Sequence, residues 1–482
     1  MSARSSPLLV ADDARLVTRL RRCLDDAGYS ESGLRAVLDG EGAASRFIDV
    51  AVARRRVSPD TALGALVQLL LLGASIGTRE ARRALAPIPL GDLTDVGLLE
   101  RQGDTVRARV RLVVYDGLIL ACDRLPASRA RLPRDYVDGV TAPTRLLAAL
   151  TVRRRGGSAL DIGTGSGIQA LLAARHCRRV IATDVNPRAL TFARFNARLN
   201  GASAVECRLG SCFEPAHGER FDLVVANPPY VVSPESALAY RDSGEPADSF
   251  CRRLVRQAPA HLREGGWAVV LVNWTHRGRA AWWTPLRHWV GGTGFDAWLL
   301  HFESLDALGY AAAWNAPLRA KHPAAYAAAL DRWQAYYRRL GIEAIAAGAI
   351  LLRRRTAGPN WLRTDEVAAA RVRRAGGQLR RLAATQDYLA ALRSNRPLLG
   401  QRLRRGARHR EERVSGWSMV GLELLAGIPF HTVVSPDALA VFDRCDGRRR
   451  LGDLLSRPAR GRLLPVIRRL LRLGFLARAG TP

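Results

Sequence analysis

The chain has 482 residues, of which 48% are hydrophobic and 24% are charged. This balance excludes a largely disordered chain, a collagen-like repeat and a small disulfide scaffold, and the length predicts two to four domains. The formal net charge of +30 comes from 74 basic and 44 acidic residues. An excess of this size favours a polyanionic partner.

No apolar run approaches the roughly 20 residues that a membrane-spanning helix needs. The longest, residues 63–73, is too short, and the N-terminus lacks the apolar core and cleavage site of a secretory signal. We therefore expect a cytoplasmic protein without a membrane partner. The seven cysteines and nine histidines are dispersed along the chain, so we also expect no bound metal.

Three regions differ in the pattern of their hydrophobic residues. Residues 1–125 have helical periodicity and end in two apolar runs around Asp116-Gly117, a hairpin signal; they predict a helical or winged-helix-like domain. A helical cap on the next domain is the alternative. Residues 126–355 alternate strand-like and helix-like segments, which predicts an α/β domain with a mostly parallel sheet. A helix is predicted over 323–340, and the predicted strands cover 159–162, 180–183, 223–226, 268–272, 298–302 and 344–352. Residues 356–482 have a mostly helical pattern and predict a second small, basic domain of the helical or winged-helix-like kind.

Positive charge is densest in the last region, where 25 arginines face 10 acidic residues. Six of these arginines form a cluster in the sequence: Arg402, Arg404, Arg405, Arg408, Arg410 and Arg413. A solvated helix face is the simpler interpretation, since most charge runs are of that kind. The uneven distribution favours a surface that contacts a phosphate backbone, although Lys321 is the only lysine and a coding bias toward arginine contributes.

A glycine-rich turn follows the first apolar run of the central region. The strand predicted over 159–162 contains Asp161, and Gly163, Gly165 and Gly167 come directly after it, before a predicted helix. Glycines at such a turn let the backbone approach a ligand closely. The next predicted strand ends at Asp184, and an acidic residue at this separation is placed to hydrogen-bond ribose hydroxyls.

The strand predicted over 223–226 runs into Asn227-Pro228-Pro229-Tyr230. Ligands of open α/β sheets bind at the carboxyl ends of the strands, so one crevice can collect Asp161, Asp184 and Asn227. The simpler interpretation is a stiff turn that ends the strand, because proline cannot continue the ladder. The polar loop that follows, residues 233–249, is a candidate lid over the substrate.

Together these motifs resemble the class I S-adenosylmethionine-dependent methyltransferases, and within them the amino-methylating branch. That branch contains the HemK-like release-factor glutamine methyltransferases, the adenine-amino DNA and RNA methyltransferases and the guanine-amino ribosomal RNA enzymes. The resemblance covers residues 130–310 and implies a Rossmann-like fold with S-adenosylmethionine as cofactor. The position after Gly210, often acidic in this family, is Ser211, which could still bond the adenine region of the cofactor.

The resemblance also implies the roles of individual residues. Gly163, Gly165 and Gly167 would allow close approach of the cofactor, Asp184 would bind its ribose, and Asp161 would position its amino-acid end. The side-chain oxygen of Asn227 and the carbonyl of Pro228 would accept hydrogen bonds from a planar NH₂ group, with Pro229 fixing the backbone and Tyr230 stacking on the substrate.

Three functions agree with these residues. The leading prediction is methylation of an exocyclic amino group in nucleic acid, for which the basic tail and the flanking domains are suited. Ribosomal or transfer RNA is favoured over DNA, because a looped or single-stranded base is accessible without being flipped out of a duplex. The alternative is methylation of a glutamine amide in a translation factor, for which the same motif is suited. A non-catalytic RNA-binding scaffold is disfavoured because the motif residues are all present.

Overall fold

The computed structural model describes residues 9, 13–38, 49–124, 132–235, 238, 240–278, 280–291, 294–406, 408–413 and 419–480. No helix within these ranges is both long enough and apolar enough to cross a membrane. The same ranges contain no group of three or more histidine, cysteine, aspartate or glutamate residues that could hold a metal ion.

The N-terminal region combines helices with a small sheet and a hairpin. Its elements are α1 (Ala14–Asp26), α2 (Glu31–Val37), α3 (Val50–Arg56), α4 (Ala62–Leu66), which continues as a π-helical segment (Val67–Leu71), β1 (Ser75–Gly77), α5 (Thr78–Leu85), α6 (Leu90–Asp95), β2 (Leu99–Gln102), β3 (Thr105–Ala108), β4 (Arg111–Tyr115) and β5 (Leu118–Cys122). From α4 to β3 the order is helix, strand, helix, helix, strand, strand, and the sheet order is β1-β3-β2, which is a winged-helix topology.

The hairpin predicted at Asp116-Gly117 is confirmed, because β4 and β5 pair in antiparallel fashion on either side of it. Both turn residues have positive φ, 49° and 74°, as a two-residue turn of the primed type requires. The sequence encodes this turn directly, since aspartate tolerates the left-handed conformation and glycine adopts it freely.

The central region forms one eight-stranded sheet with helices on both faces. Its elements are α7 (Ala142–Leu150), β6 (Ser158–Ile162), α8 (Ile168–Ala174), β7 (Arg179–Asp184), α9 (Pro187–Leu199), β8 (Val205–Leu209), β9 (Phe221–Ala226), α10 (Ser249–Gln257), β10 (Leu262–His276), α11 (Thr284–Val290), β11 (Asp296–Asp306), α12 (Ala307–Arg319), α13 (Pro323–Leu340), β12 (Ala344–Arg353) and β13 (Leu362–Glu366).

The strand order is β13-β11-β12-β10-β9-β6-β7-β8, and only β12 runs against its neighbours. The six predicted strands are all present, within longer elements. β6 is buried along its whole length because helices cover both faces of the sheet, which explains its continuous apolar run. In register, Ile162 lies beside Thr183 on β7 and Ala226 on β9, so the carboxyl ends of these three strands lie at one level.

The C-terminal region contains five helices and two three-stranded sheets among its described residues. Its elements are α14 (Gly376–Ala391), α15 (Arg396–Leu399), β14 (Arg402–Arg405), β15 (His409–Arg413), β16 (Val420–Leu424), β17 (His431–Val434), α16 (Pro436–Asp443), β18 (Asp446–Arg450), α17 (Leu451–Leu454), α18 (Arg460–Leu473) and β19 (Leu476–Arg478). The sheet orders are β18-β14-β19 and β15-β16-β17. The helices were expected in this region, but its strands were not, because charged strands such as Arg402–Arg405 lack the apolar alternation by which strands are recognised.

Both flanking regions pack against the central sheet. Buried side chains of the N-terminal helices and hairpin share one apolar cluster with Leu171 of α8 and Phe192 of α9. Those of the tail share another with Leu147 of α7 and Trp298 of β11. The site at the strand ends is thus built on a domain that both flanking regions contact.

Candidate active site

The glycine turn between β6 and α8 forms one wall of a cavity at the carboxyl ends of the strands. Gly163 and Gly165 have φ of +66° and +55°, and a Cβ added to either would meet no atom within 4 Å. Both therefore adopt a conformation that favours glycine and face open space. Gly167, with φ +87°, differs: an added Cβ would lie 3.1 Å from Ala193, and Gly167 is absent from the cavity wall.

Asp161 lies at the end of β6 and is 2% exposed. Its Oδ2 accepts hydrogen bonds from Thr164 Oγ1 at 2.6 Å and from the Ala170 amide at 3.0 Å. Burial raises the pKa of this carboxyl to about 7, although those two hydrogen bonds act in the opposite direction. Asp161 thus holds the turn to the start of α8 and lies in the cavity wall.

Asp184 is the last residue of β7 and faces the same turn. Its Oδ2 accepts a hydrogen bond from the Gly165 amide at 2.9 Å, and its Oδ1 accepts one from the Asn186 amide at 2.9 Å. Burial raises the pKa of Asp184, and the backbone hydrogen bonds offset part of that effect. Each oxygen retains acceptor capacity toward the cavity, since a carboxylate oxygen accepts two hydrogen bonds.

Asn227 directly follows β9, and its side-chain Oδ1 is buried without a hydrogen-bond partner among the residues that the structure describes. A buried acceptor without a partner costs about 1–3 kcal/mol, so such an atom in a cavity wall is a candidate to bind a ligand donor. Pro228, Pro229 and Tyr230 continue along the same wall.

The cavity has a volume of about 550 Å³. The structure brings nine of the ten predicted site residues to it, all except Gly167: Asp161, Gly163, Gly165, Asp184, Ser211, Asn227, Pro228, Pro229 and Tyr230. Three aromatic residues that the sequence motifs did not indicate complete the wall: Tyr136, Phe250 and Trp314. They come from a segment before α7, from α10 and from α12, and nothing in their local sequence marks them.

Comparison with known proteins gives two family matches. The family described as the methyltransferase small domain matches residues 136–282, the segment that carries β6, the glycine turn and the Asn227 motif. The chain contains a class I S-adenosylmethionine-dependent methyltransferase domain. A domain of unknown function matches residues 26–109, the helices and small sheet that precede this methyltransferase domain.

Several curated relatives of the methyltransferase domain are named release factor glutamine methyltransferase. The protein from Xylella fastidiosa (strain Temecula1) is 41% identical over 24% of this chain and 46% of its own length. Those from Cereibacter sphaeroides and Geobacter sulfurreducens are 39% and 34% identical, each over 32% of this chain and over 59% and 65% of their own lengths. The chain therefore spans about half to two thirds of the relatives that it matches, and its methyltransferase domain is of the HemK-like type.

S-adenosylmethionine is the cofactor that this domain implies, and the cavity fits it. The open space above Gly163 and Gly165 allows close approach of a ligand, and the carboxylates of Asp161 and Asp184 offer acceptors for its amino and hydroxyl groups.

Proposed function

We propose that the protein transfers a methyl group from S-adenosylmethionine to the amide nitrogen of a glutamine in a translation factor. The observation that carries this proposal is the buried Asn227 Oδ1, an acceptor without a partner beside a cofactor-sized cavity. The relatives named release factor glutamine methyltransferase support glutamine as the acceptor. They favour this alternative over the leading prediction of an RNA base.

In this proposal the cofactor binds across the glycine turn. Asp184 accepts hydrogen bonds from the ribose hydroxyls, Asp161 accepts one from the amino group, and Ser211 bonds the adenine region. Gly163 and Gly165 allow the backbone to approach. Gly167 supports the turn by its close packing on Ala193 instead of contacting the cofactor.

When bound, S-adenosylmethionine would supply an electrophilic methyl group on a sulfonium centre, and transfer would leave a neutral thioether while the amide nitrogen gives up one of its two protons to water. An amide nitrogen is a weak nucleophile because its lone pair is delocalised. The Asn227 Oδ1 and the Pro228 carbonyl accept hydrogen bonds from the two N–H groups, turn the lone pair toward the methyl group and stabilise the charge that develops on nitrogen. Tyr230 stacks on the planar amide and holds it in line for transfer.

Methyl transfer from labelled S-adenosylmethionine tests this function, with the purified protein added to an extract of cells that lack it. We expect label in a product that protease removes and nuclease does not. Asn227→Ala should reduce transfer on the order of 100-fold, the cost of removing one preorganised polar group, and change the affinity for S-adenosylmethionine by less than about threefold. Equal loss of transfer and cofactor binding would contradict the role given to Asn227.

RNA is the second candidate substrate, and the charge on one sheet of the tail favours it. Arg402 on β14 lies directly opposite Arg450 on β18, an arrangement that destabilises a sheet unless an anion compensates. Arg402, Arg449 and Arg450 are exposed, and no described acidic side chain lies within 4 Å of them. In the neighbouring sheet, by contrast, Glu423 pairs with both Arg371 and Arg410.

The sequence cluster therefore divides between the two sheets: Arg402 lies opposite Arg450, whereas Arg410 pairs with Glu423. The side chain of Arg413 lies outside the described part. Label that nuclease removes would support RNA as the substrate. In that case the wild-type protein should lose transfer to RNA as salt rises, because phosphate contacts depend on counterion release. The Arg402→Gln/Arg449→Gln/Arg450→Gln variant should transfer less at low salt and depend less on salt, whereas the matched Arg371→Gln/Arg410→Gln/Arg462→Gln variant, whose arginines are ion-paired, should keep the wild-type activity and salt dependence.

A further inference from the structure

Two helices, α12 and α13, are inserted between strands β11 and β12 of the methyltransferase sheet. They lie beyond residues 136–282, the segment that the methyltransferase family matches. Their aromatic residues pack on the chain that follows the Asn227 motif: Tyr310, Trp333, Tyr336 and Tyr337 share an apolar cluster with Val231 and Val232. A helical hairpin outside the family-matched segment thus contacts the chain directly after the Asn227 motif.

The hairpin hydrogen-bonds to both the backbone amide and the backbone carbonyl of Val232, which lies five residues after Asn227. The Val232 amide donates to the Tyr310 hydroxyl at 3.3 Å, and the Tyr337 hydroxyl donates to the Val232 carbonyl at 2.8 Å. Val232 is fully buried, so these tyrosines satisfy a backbone unit that would otherwise have no partner. Asn273 at the end of β10 also donates to the Tyr310 hydroxyl, at 2.8 Å, and ties this contact to the sheet.

The candidate lid that follows is held by α13 at two further points. The Ala247 amide donates to the Tyr336 hydroxyl at 2.8 Å. The Glu235 carboxylate accepts hydrogen bonds from Trp333 Nε1 at 3.2 Å and from Arg332 at 3.1 Å, and it pairs with Arg241 of the lid at 3.0 Å. Burial alone would raise the pKa of Glu235, but these contacts outweigh it and lower that pKa, so the carboxylate stays charged.

Trp314 of α12 extends the hairpin to the cavity. It forms part of the cavity wall, is 36% exposed, and its ring centroid lies 6.1 Å from that of Tyr310. A large aromatic surface that is partly exposed and lines the same cavity as Asn227 is suited to bind an apolar or planar group of a ligand.

We propose that the α12–α13 hairpin is the substrate-specificity element of this enzyme. Tyr310, Tyr336 and Tyr337 are positioning residues that hold the segment from the Asn227 motif to the lid, and Trp314 binds an apolar or planar group next to the methylated nitrogen. The binding role of Trp314 rests on the proposed methyl transfer, whereas the positioning role of the three tyrosines does not.

Amide hydrogen exchange in the full chain tests the positioning role without any substrate. Tyr310→Phe removes the acceptor of the Val232 amide, so exchange at Val232 should rise by about tenfold, the equivalent of one hydrogen bond. Tyr336→Phe should do the same at Ala247. Tyr326→Phe, on the same hairpin but without a described hydroxyl contact to the lid, is the matched control. Exchange at Val225 in β9 reports whether the sheet itself has loosened. Unchanged exchange at Val232 and Ala247, or equal rises at Val225, would overturn the positioning role.

Methyl transfer to a purified bacterial release factor tests the binding role. Trp314→Ala should raise KM for the release factor by about tenfold or more, the effect of one lost apolar contact surface. Its affinity for S-adenosylmethionine and its kcat should change by less than about twofold, because Trp314 contacts neither the cofactor nor the acceptor nitrogen in this proposal. An unchanged KM would overturn the role of Trp314. A wild-type protein that does not methylate release factor but labels RNA would overturn the glutamine function, and KM for RNA would then test Trp314 in the same way.

Discussion

We expect the carboxyl group of Asp161 to make cofactor binding sensitive to pH near neutrality, because the proposed function assigns it to the amino group of the cofactor. Its pKa of about 7 is raised by burial, so the group is largely protonated at pH 6 in the free protein. A protonated carboxyl loses most of its attraction for the amino group of the cofactor. We therefore expect the affinity for S-adenosylmethionine to fall as pH drops from 8 to 6, by about tenfold if one proton is taken up. Calorimetric titration at several pH values measures this dependence.

Asp161→Asn separates this effect from the titration of the cofactor itself. Asparagine keeps an oxygen for the Thr164 and Ala170 donors but has no charge to lose. Its cofactor affinity should be low at pH 8 and should lack the wild-type decline toward pH 6. If the affinity for S-adenosylmethionine depends on pH in the same way in the wild type and in Asp161→Asn, then Asp161 does not titrate in this range.

The stability of the free protein should respond to Asp161 with the opposite sign. The folded-state pKa lies above the unfolded value of about 3.9, so the folded state holds the proton more tightly. The contribution of this group to stability is thus fully present below about pH 4 and is lost as pH rises through 7. Ionisation of the buried Asp161 carboxyl therefore destabilises the folded free protein, at the same pH at which the proposed function uses the charged carboxylate to bind the cofactor.

The three glycines of the turn have two different roles, although one motif suggested a single role for all of them. Gly163→Ala places a methyl group in open cavity and should weaken cofactor binding by about tenfold, as a misplaced methyl group in a pocket does. Both substitutions strain a backbone of positive φ, by roughly 1–2 kcal/mol each. Gly167→Ala also places its methyl group 3.1 Å from Ala193, so it should lower the free energy of unfolding by about 1–3 kcal/mol more than Gly163→Ala does, through overpacking. Denaturant unfolding and cofactor titration of both variants measure the two effects. A larger loss of affinity in Gly167→Ala than in Gly163→Ala would reverse the assignment.

At the scale of elements, the sequence predicted the features that local chemistry determines. The predicted strand ends carry Asp161, Asp184 and Asn227 to one crevice because parallel strands end at the same edge of a sheet, and α13 has the predicted bounds, Pro323–Leu340. Proline at its start and Gly341 at its end, with φ of 64°, mark those bounds in the sequence.

Elements that depend on distant partners were not predicted. β8 (Val205–Leu209) is a half-exposed edge strand with a mixed composition, and β14 and β18 consist largely of arginine. Such strands exist because a neighbouring strand supplies their hydrogen bonds, which the local pattern does not reveal. The position of Trp314 in the cavity wall was not predicted for the same reason. Trp314 lies more than 80 residues after Asn227 in the sequence, and only the packing of α12 brings it to the cavity.

At the scale of the whole molecule, side-chain amides join the N-terminal hairpin to the cofactor-binding domain. β5 pairs with β4 on one edge only, and its other edge faces α9. Asn196 Oδ1 accepts from the Ala121 amide at 2.7 Å and its Nδ2 donates to the Ala121 carbonyl at 2.9 Å. Asn200, one helical turn later, makes the same pair of bonds to Ile119, at 3.0 and 2.7 Å. Two asparagines thus replace a neighbouring strand along this edge.

Asn196 also connects this interface to the cofactor site, because its Nδ2 donates to the Ser166 carbonyl of the glycine turn at 2.8 Å. Asn196 is fully buried, so Asn196→Ala would leave the Ala121 amide and two carbonyls without partners. We expect it to lower the free energy of unfolding by on the order of 3 kcal/mol, and to weaken cofactor binding because the turn loses a support. Thr191→Ala on the same helix, where the hydroxyl bonds only to the Pro187 carbonyl, is the control and should cost less than about 0.5 kcal/mol. Equal stabilities of the two variants would mean that the Asn196 hydrogen bonds do not hold the N-terminal region to the methyltransferase domain, and an unchanged cofactor affinity would show that the glycine turn does not depend on them.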